Sequence, residues 1–106
     1  MDIKIDGGLT MENNIEKYGH MAEVLKALGH PVRLCIIRGL VDTNGCNVNH
    51  MKDCLQLPQS TVSQHLQKLK SAGVIEGKRN GTEITYFVKD ELVNQIIELI
   101  TIQEEK

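Results

Sequence analysis

The hydrophobic period of this chain changes once, at Gly73, and that change limits the fold more than any other feature. Upstream, apolar residues recur every three or four positions, the spacing of amphipathic helices. Downstream, Val74-Ile75-Glu76 and Glu83 to Val88 are rich in β-branched and aromatic residues and read as two strands. Asn80-Gly81 lies between them, a strong short hairpin signal because both residue types tolerate positive φ. A helical body must therefore carry a two-stranded ribbon.

The helical part divides at its breakers. Ile15, Tyr18, Met21, Ala22, Leu25 and Leu28 form one stripe from Asn13 onward, closed by Gly29. Pro31 suits the first turn of a second helix reaching about Val41, with Leu34, Ile37 and Val41 on one face. Asp42 to Gly45 is turn chemistry. A short helix from about Asn47 buries Val48, Met51 and Leu55, and Pro58 stops it. The next helix spans Gln59 to Ala72 with Gly73 as its cap, and a last one starts near Lys89. The expected fold is mainly α with a small β-hairpin, in the order α-α-α-α-β-β-α, which is a winged helix-turn-helix. Residues 1–12 read as a lead-in and 13–106 as the domain.

Composition narrows the class. A chain of 106 residues with 41% hydrophobic and 25% charged residues suits one globular domain. Phe87, Tyr18 and Tyr86 are its only aromatic residues, so the core must be aliphatic. No apolar run approaches the ~18 residues that span a bilayer. Met1 to Leu9 lacks the basic-then-apolar pattern of a secretion signal, so a cytoplasmic location with no membrane partner is expected. Three cysteines do not describe a disulfide scaffold. No nucleophile–base pair, Gly-rich phosphate loop or metal motif is readable, so neither an enzyme nor a cofactor is expected.

The net charge of −2 hides a sorted distribution. Residues 59–81 hold Lys68, Lys70, Lys78 and Arg79 against Glu76, net +3, whereas 90–106 are net −4. A local basic surface can bind phosphates while acidic ends keep the molecule soluble. Within helix 59–72, Val62, Leu66 and Leu69 lie within about 40° on a wheel of about 100° per residue. Ser60, Gln64, Gln67 and Ser71 fall opposite, with Thr61, Ser63 and Lys68 on the shoulders. This outer face offers hydrogen bonds and no acid. Gln can pair bidentately with adenine, Ser and Thr serve several base edges, and lysines neutralise phosphates. The bland alternative, a merely solvated face, fits less well beside a preceding short helix and a basic hairpin tip. His65, about 60° from the buried stripe, reads as a structural histidine bonded to nearby backbone, and His30 before Pro31 as helix-start chemistry.

Three segments carry a family resemblance: Leu25 to Leu34 (LKALGHPVRL), Leu57 to Leu66 (LPQSTVSQHL) and Asn80 to Val88 (NGTEITYFV). Over roughly residues 20–100 the chain resembles the ArsR/SmtB family of bacterial transcriptional repressors. The resemblance implies a homodimer, built by the first and last helices, that blocks transcription from a palindromic operator in double-stranded DNA until a signal releases it. It implies DNA contacts at Ser60, Ser63 and Gln64, with the wing 76–84 reaching flanking backbone through Lys78, Arg79, Asn80, Gly81 and Thr82; the outer face of the helix adds Gln59, Thr61 and Lys68 as expected contacts. On the first and last helices the apolar stripes put the expected dimer interface at Ile15, Tyr18, Leu92, Val93, Ile96, Ile97, Leu99 and Ile100. That suits a terminal stripe too wide for one neighbour.

The family's usual metal sites do not map onto this chain. Where the arsenic/cadmium type has Cys-Val-Cys, this sequence has Asn47-Val48-Asn49, with Cys46 and Cys54 out of register. Of the zinc type's ligands on the last helix only Asp90 matches; Leu92, Gln103 and Lys106 fill the other positions. A Cys₂His cluster of Cys46, His50 and Cys54 matches no standard spacing, so no metal is expected. A disulfide between the second and last helices, known in some members, is impossible because the last helix has no cysteine. Cys35, Cys46 and Cys54 thus remain as an alternative, a thiol-responsive repressor, against the plainer reading of Cys35 and Cys54 as small core residues. Continued through helix, Cys46 and Cys54 would stand ~12 Å apart, too far to bridge unless Cys46 folds back. A remoter alternative is a winged helix that docks proteins through its last helix.

Overall fold

The computed structural model describes residues 15–104, and the expected lead-in over 1–12 lies outside them. Residues 15–17 are helical up to a turn at Tyr18. Five helices and three strands follow: α1 (Gly19–Leu28), α2 (Pro31–Thr43), β1 (Cys46–Asn47), α3 (Val48–Leu55), α4 (Gln59–Ser71), β2 (Ile75–Asn80), β3 (Glu83–Val88) and α5 (Glu91–Glu104). The element order is the expected one with a single addition, β1.

Strand β1 makes the ribbon a three-stranded antiparallel sheet in the order β1-β3-β2. Cys46 pairs with Tyr86 and Asn47 with Thr85. The sequence pattern puts the turn at Asp42 to Gly45 and a helix from about Asn47, which leaves Cys46 between them. Two residues have no period to read, and the pairing partner is 40 positions away. Gly45 makes the approach possible: its φ is +124°, and a Cβ there would lie 2.5 Å from the Phe87 ring.

The termini of the helices follow their chemistry. His30 caps α2, its Nδ1 accepting the Val32 N–H at 3.1 Å, with Pro31 in the first turn. Asn47 caps α3 by accepting the His50 N–H at 2.8 Å. Asn47, compared above with a thiolate position of the family's arsenic/cadmium type, is thus a helix cap. Asp90 likewise accepts the Leu92 N–H at 3.0 Å at the start of α5. At the end of α4, Gly73 with φ +77° and the bonds Gly73 N–H to Lys70 O and Val74 N–H to Leu69 O form a Schellman motif. Gly29, by contrast, closes α1 at φ −78° and does not use a glycine's left-handed freedom.

The hairpin turn is displaced by one residue from its expected position. Asn80 is paired with Glu83, so the two-residue loop is Gly81-Thr82. Only Gly81 has positive φ, +70°, which is the Gly-first pattern of a type II′ turn. The core is aliphatic, with Val24, Ile37, Val62, Leu69, Val74, Ile75 and Val93 fully enclosed. Among the described residues no helix is long and apolar enough to cross a membrane.

Candidate nucleic-acid interface

Helices α3 and α4 are joined by Gln56, Leu57 and Pro58. Gln56 adopts φ +57° to end α3, and Pro58 opens α4 in extended geometry. Val62, Leu66 and Leu69 are buried and fix the roll of α4 against α1, α2 and α3. The outer face then holds Gln59, Ser60, Ser63, Gln64, Gln67, Lys68 and Lys70, all exposed, while Thr61 is half-buried. Gln67 and Ser71 already share a hydrogen bond of 3.3 Å. Among the described residues the side chains of Ser60, Ser63 and Gln64 make no hydrogen bond, and they stand in the N-terminal half of the helix.

An unexpected residue locks that roll. Arg33 of α2 is buried, and its Nε–H donates to Ala27 O while Nη1 donates to His65 Nδ1 at 3.1 Å. The His65 and His30 rings lie 4.6 Å apart, tilted by 46°. His65 is therefore structural, as expected, but its partner is a guanidinium rather than backbone. Since arginine only donates, the Nδ1 lone pair must be free and the ring neutral. Burial, and then the positive charges of His30, Arg33 and Lys68, push the His65 pKa down. A buried arginine is the signal the sequence reading lacked, because only tertiary packing reveals it.

The wing presents Lys78, Arg79, Asn80, Gly81 and Thr82, all exposed. The Lys78 ammonium stands 5.2 Å from the Phe87 ring centroid, which directs its stem along the sheet. Asn47 Nδ2 donates to Glu83 Oε1 at 2.6 Å and ties the turn end of β3 to the start of α3. A rigid polar helix and a basic hairpin thus occupy neighbouring parts of one frame.

The expected dimer residues separate into three groups. Val93 and Ile97 are buried in the protomer's own core and are not free to face a partner. Ile15, Tyr18 and Leu99 are exposed by 74%, 54% and 64%. Leu92, Ile96 and Ile100 are half-buried. At about 100° per residue, Val93, Ile97 and Ile100 form one arc of α5, and Leu92, Ile96 and Leu99 the adjoining one. Leu25 and Ile102, which the sequence reading did not select, are also half exposed.

The cysteines correct another expectation. Cys35 and Cys54 are exposed rather than core residues, and Cys46 is intermediate; all three are free thiols. Among the described residues no group of three or more His, Cys, Asp and Glu side chains is placed to hold a metal ion.

A helical body with an exposed polar helix and a basic hairpin is the architecture of a winged helix-turn-helix protein. Residues 28–78 match a family described as a helix-turn-helix domain. A helix-turn-helix transcriptional regulator of Methanocaldococcus jannaschii is 40% identical over 86 residues, covering 81% of this chain and 97% of the relative. The transcriptional repressor SmtB of Mycobacterium tuberculosis is 43% identical over 75 residues, covering 71% of this chain and 55% of its own length. The transcriptional repressor PagR of Bacillus anthracis is 43% identical over 79 residues, covering 74% of this chain and 79% of PagR. Its crystal structure superposes with a TM-score of 0.76 over 81% of this chain and 98% of PagR, at 40% identity. The chain belongs to the ArsR/SmtB family of winged helix-turn-helix transcriptional repressors. These relatives regulate transcription, a non-enzymatic role.

Proposed function

We propose that this protein is a cytoplasmic homodimer that represses transcription by reading a palindromic operator with α4 and the wing, without a metal effector. The observation that carries this reading is the outer face of α4. It is polar and acid-free, held by a buried stripe and by Arg33, and flanked by a basic hairpin. Ser60, Ser63 and Gln64 read base edges, with Gln59 and Thr61 at the helix start; Lys68, Lys78, Arg79, Asn80, Gly81 and Thr82 hold the phosphate backbone. The second copy covers Ile15, Tyr18, Leu92, Ile96, Leu99 and Ile100, which makes two recognition helices for two half-sites.

Fluorescence anisotropy of the protein against DNA from upstream of its own coding region, at two salt concentrations, tests the reading. Tight binding that weakens steeply with salt supports it, since phosphate contacts release counterions. Binding that ignores salt, or none to this or to random duplex, favours a winged helix that contacts protein. Sedimentation velocity on the same sample shows whether the species is a dimer.

A second reading, a thiol-responsive repressor, is favoured by one observation: Cys35, Cys46 and Cys54 all line the same cavity.

A further inference from the structure

That cavity, of about 220 Å³, lies in the seam between α2 and α3. Cys35 enters from α2, Cys46 from β1 and Cys54 from α3, so three thiols from three elements line one space. Ile36, Leu40, Met51 and Leu55 supply apolar wall. His50 also lines the space, and its Nε2 lies 3.4 Å from the Cys54 sulfur. The two residues are one helical turn apart, and the Asn47 cap on the His50 amide fixes that turn.

We propose that this seam is a covalent modification site for small apolar electrophiles of the α,β-unsaturated carbonyl class, with Cys54 as the nucleophile and His50 as its base. The inference rests on the repressor reading for its consequence, but not for its chemistry.

The parts have distinct tasks. With hydrogen on Nδ1, His50 accepts the Cys54 S–H proton at Nε2 and generates the thiolate, the reactive form. The sulfur lone pair forms a bond to the β-carbon of the electrophile, and the carbon–carbon π pair moves onto the carbonyl as an enolate. The proton held by His50 then returns to the α-carbon. The sum is addition of S–H across the double bond, and no oxidant is consumed. Cys46 is the poorer nucleophile, because burial and the neighbouring Cys54 charge push its pKa up, and its Sγ–H is engaged by Asn47 O at 3.4 Å. Cys35 has no histidine partner among the described hydrogen bonds. The aliphatic wall selects compounds with an apolar body over charged ones.

The seam is also well placed to act on DNA. Helix α3 packs directly on α4, so a covalent ring wedged between α2 and α3 adds volume behind the recognition helix. Re-seating α3 carries α4 with it and misaligns the outer face.

The test uses the full reduced chain with cyclohexenone as the probe. Peptide mapping by mass spectrometry follows the adduct at each cysteine, and anisotropy follows DNA affinity. Cys54 is expected to react about tenfold or more faster than Cys35 or Cys46, and His50→Gln to slow Cys54 by about tenfold. DNA affinity of unmodified His50→Gln stays at the parent value. Affinity of the parent falls as the Cys54 adduct accumulates, and Cys54→Ser keeps its affinity under the same treatment. Equal labelling of Cys35 and Cys54, or an unchanged Cys54 rate in His50→Gln, would overturn the nucleophile–base assignment. Full Cys54 adduct with undiminished affinity would overturn the regulatory role. If the unmodified parent binds no DNA, the repressor reading fails by itself, and the labelling order still decides the chemistry of the seam.

Discussion

Helices α4 and α5 are built on the same plan and face the world in opposite ways. Each is anchored by a narrow buried stripe, Val62, Leu66 and Leu69 in one and Val93 and Ile97 in the other. On the far side α4 carries Ser60, Ser63, Gln64 and Gln67 with lysines, whereas α5 carries Leu92, Ile96 and Leu99 beside Glu91 and Glu98. The inward stripe only says that a helix is docked. The outward face says what it meets: a hydrogen-bonding and basic face suits a nucleic-acid groove, and an apolar face edged with acids suits another protein surface.

The largest effect expected from breaking this comparison is on the inward stripe of α5. Ile97→Ala should cost about 2–5 kcal/mol of stability by urea unfolding, because it leaves a cavity in the protomer's core. Leu99→Glu, two residues on and on the exposed side, should leave the fold intact and weaken self-association about a hundredfold in sedimentation equilibrium. A Leu99→Glu protein that stays dimeric would place the interface elsewhere. On α4, Gln64→Ala should lose about 1–3 kcal/mol of discrimination between the operator and a base-substituted site. Arg79→Ala on the wing should weaken all duplexes alike and lower the salt slope by about one. Identical behaviour of these two variants would abolish the division between base reading and phosphate holding.

The smallest effect concerns pH and the seat of α4. The His65 pKa is lowered in the fold, so folding favours the neutral ring. The stability this contributes is present above the unfolded histidine value of about 6.5 and is lost as pH falls from there through the lower folded value. Unfolding midpoints followed from neutral pH downward should therefore decline in that window, and His65→Gln should remove that part of the decline.

Much of the frame was legible because local signals agreed with one another. Pro31, Pro58, Gly73 and the Asn80–Gly81 pair bracket elements whose periods are strong. The polar face of α4 was legible for the same reason, since its hydrophobic stripe is narrow and fixes the roll. The stripe on α5 is wide, and periodicity alone cannot divide Val93 and Ile97 from Leu92 and Leu99; only packing against α2 and β3 does so. Strand β1 is too short to announce itself. Its pairing with β3 nonetheless holds Cys46 in a strand, so the ~12 Å separation from Cys54 that a continued helix would impose does not apply. The Arg33–His65 contact spans 32 positions, and the thiol seam joins three elements. Contacts of that kind are properties of the closed fold, not of any window of sequence.

The most direct test of the central claim is hydrogen–deuterium exchange on the intact protein with and without its upstream DNA. Added DNA should slow exchange across residues 59–68 and 77–82, while α5 changes with protein concentration and not with DNA. Protection by DNA confined to α5, with α4 and the wing unchanged, would contradict the assignment of the two faces.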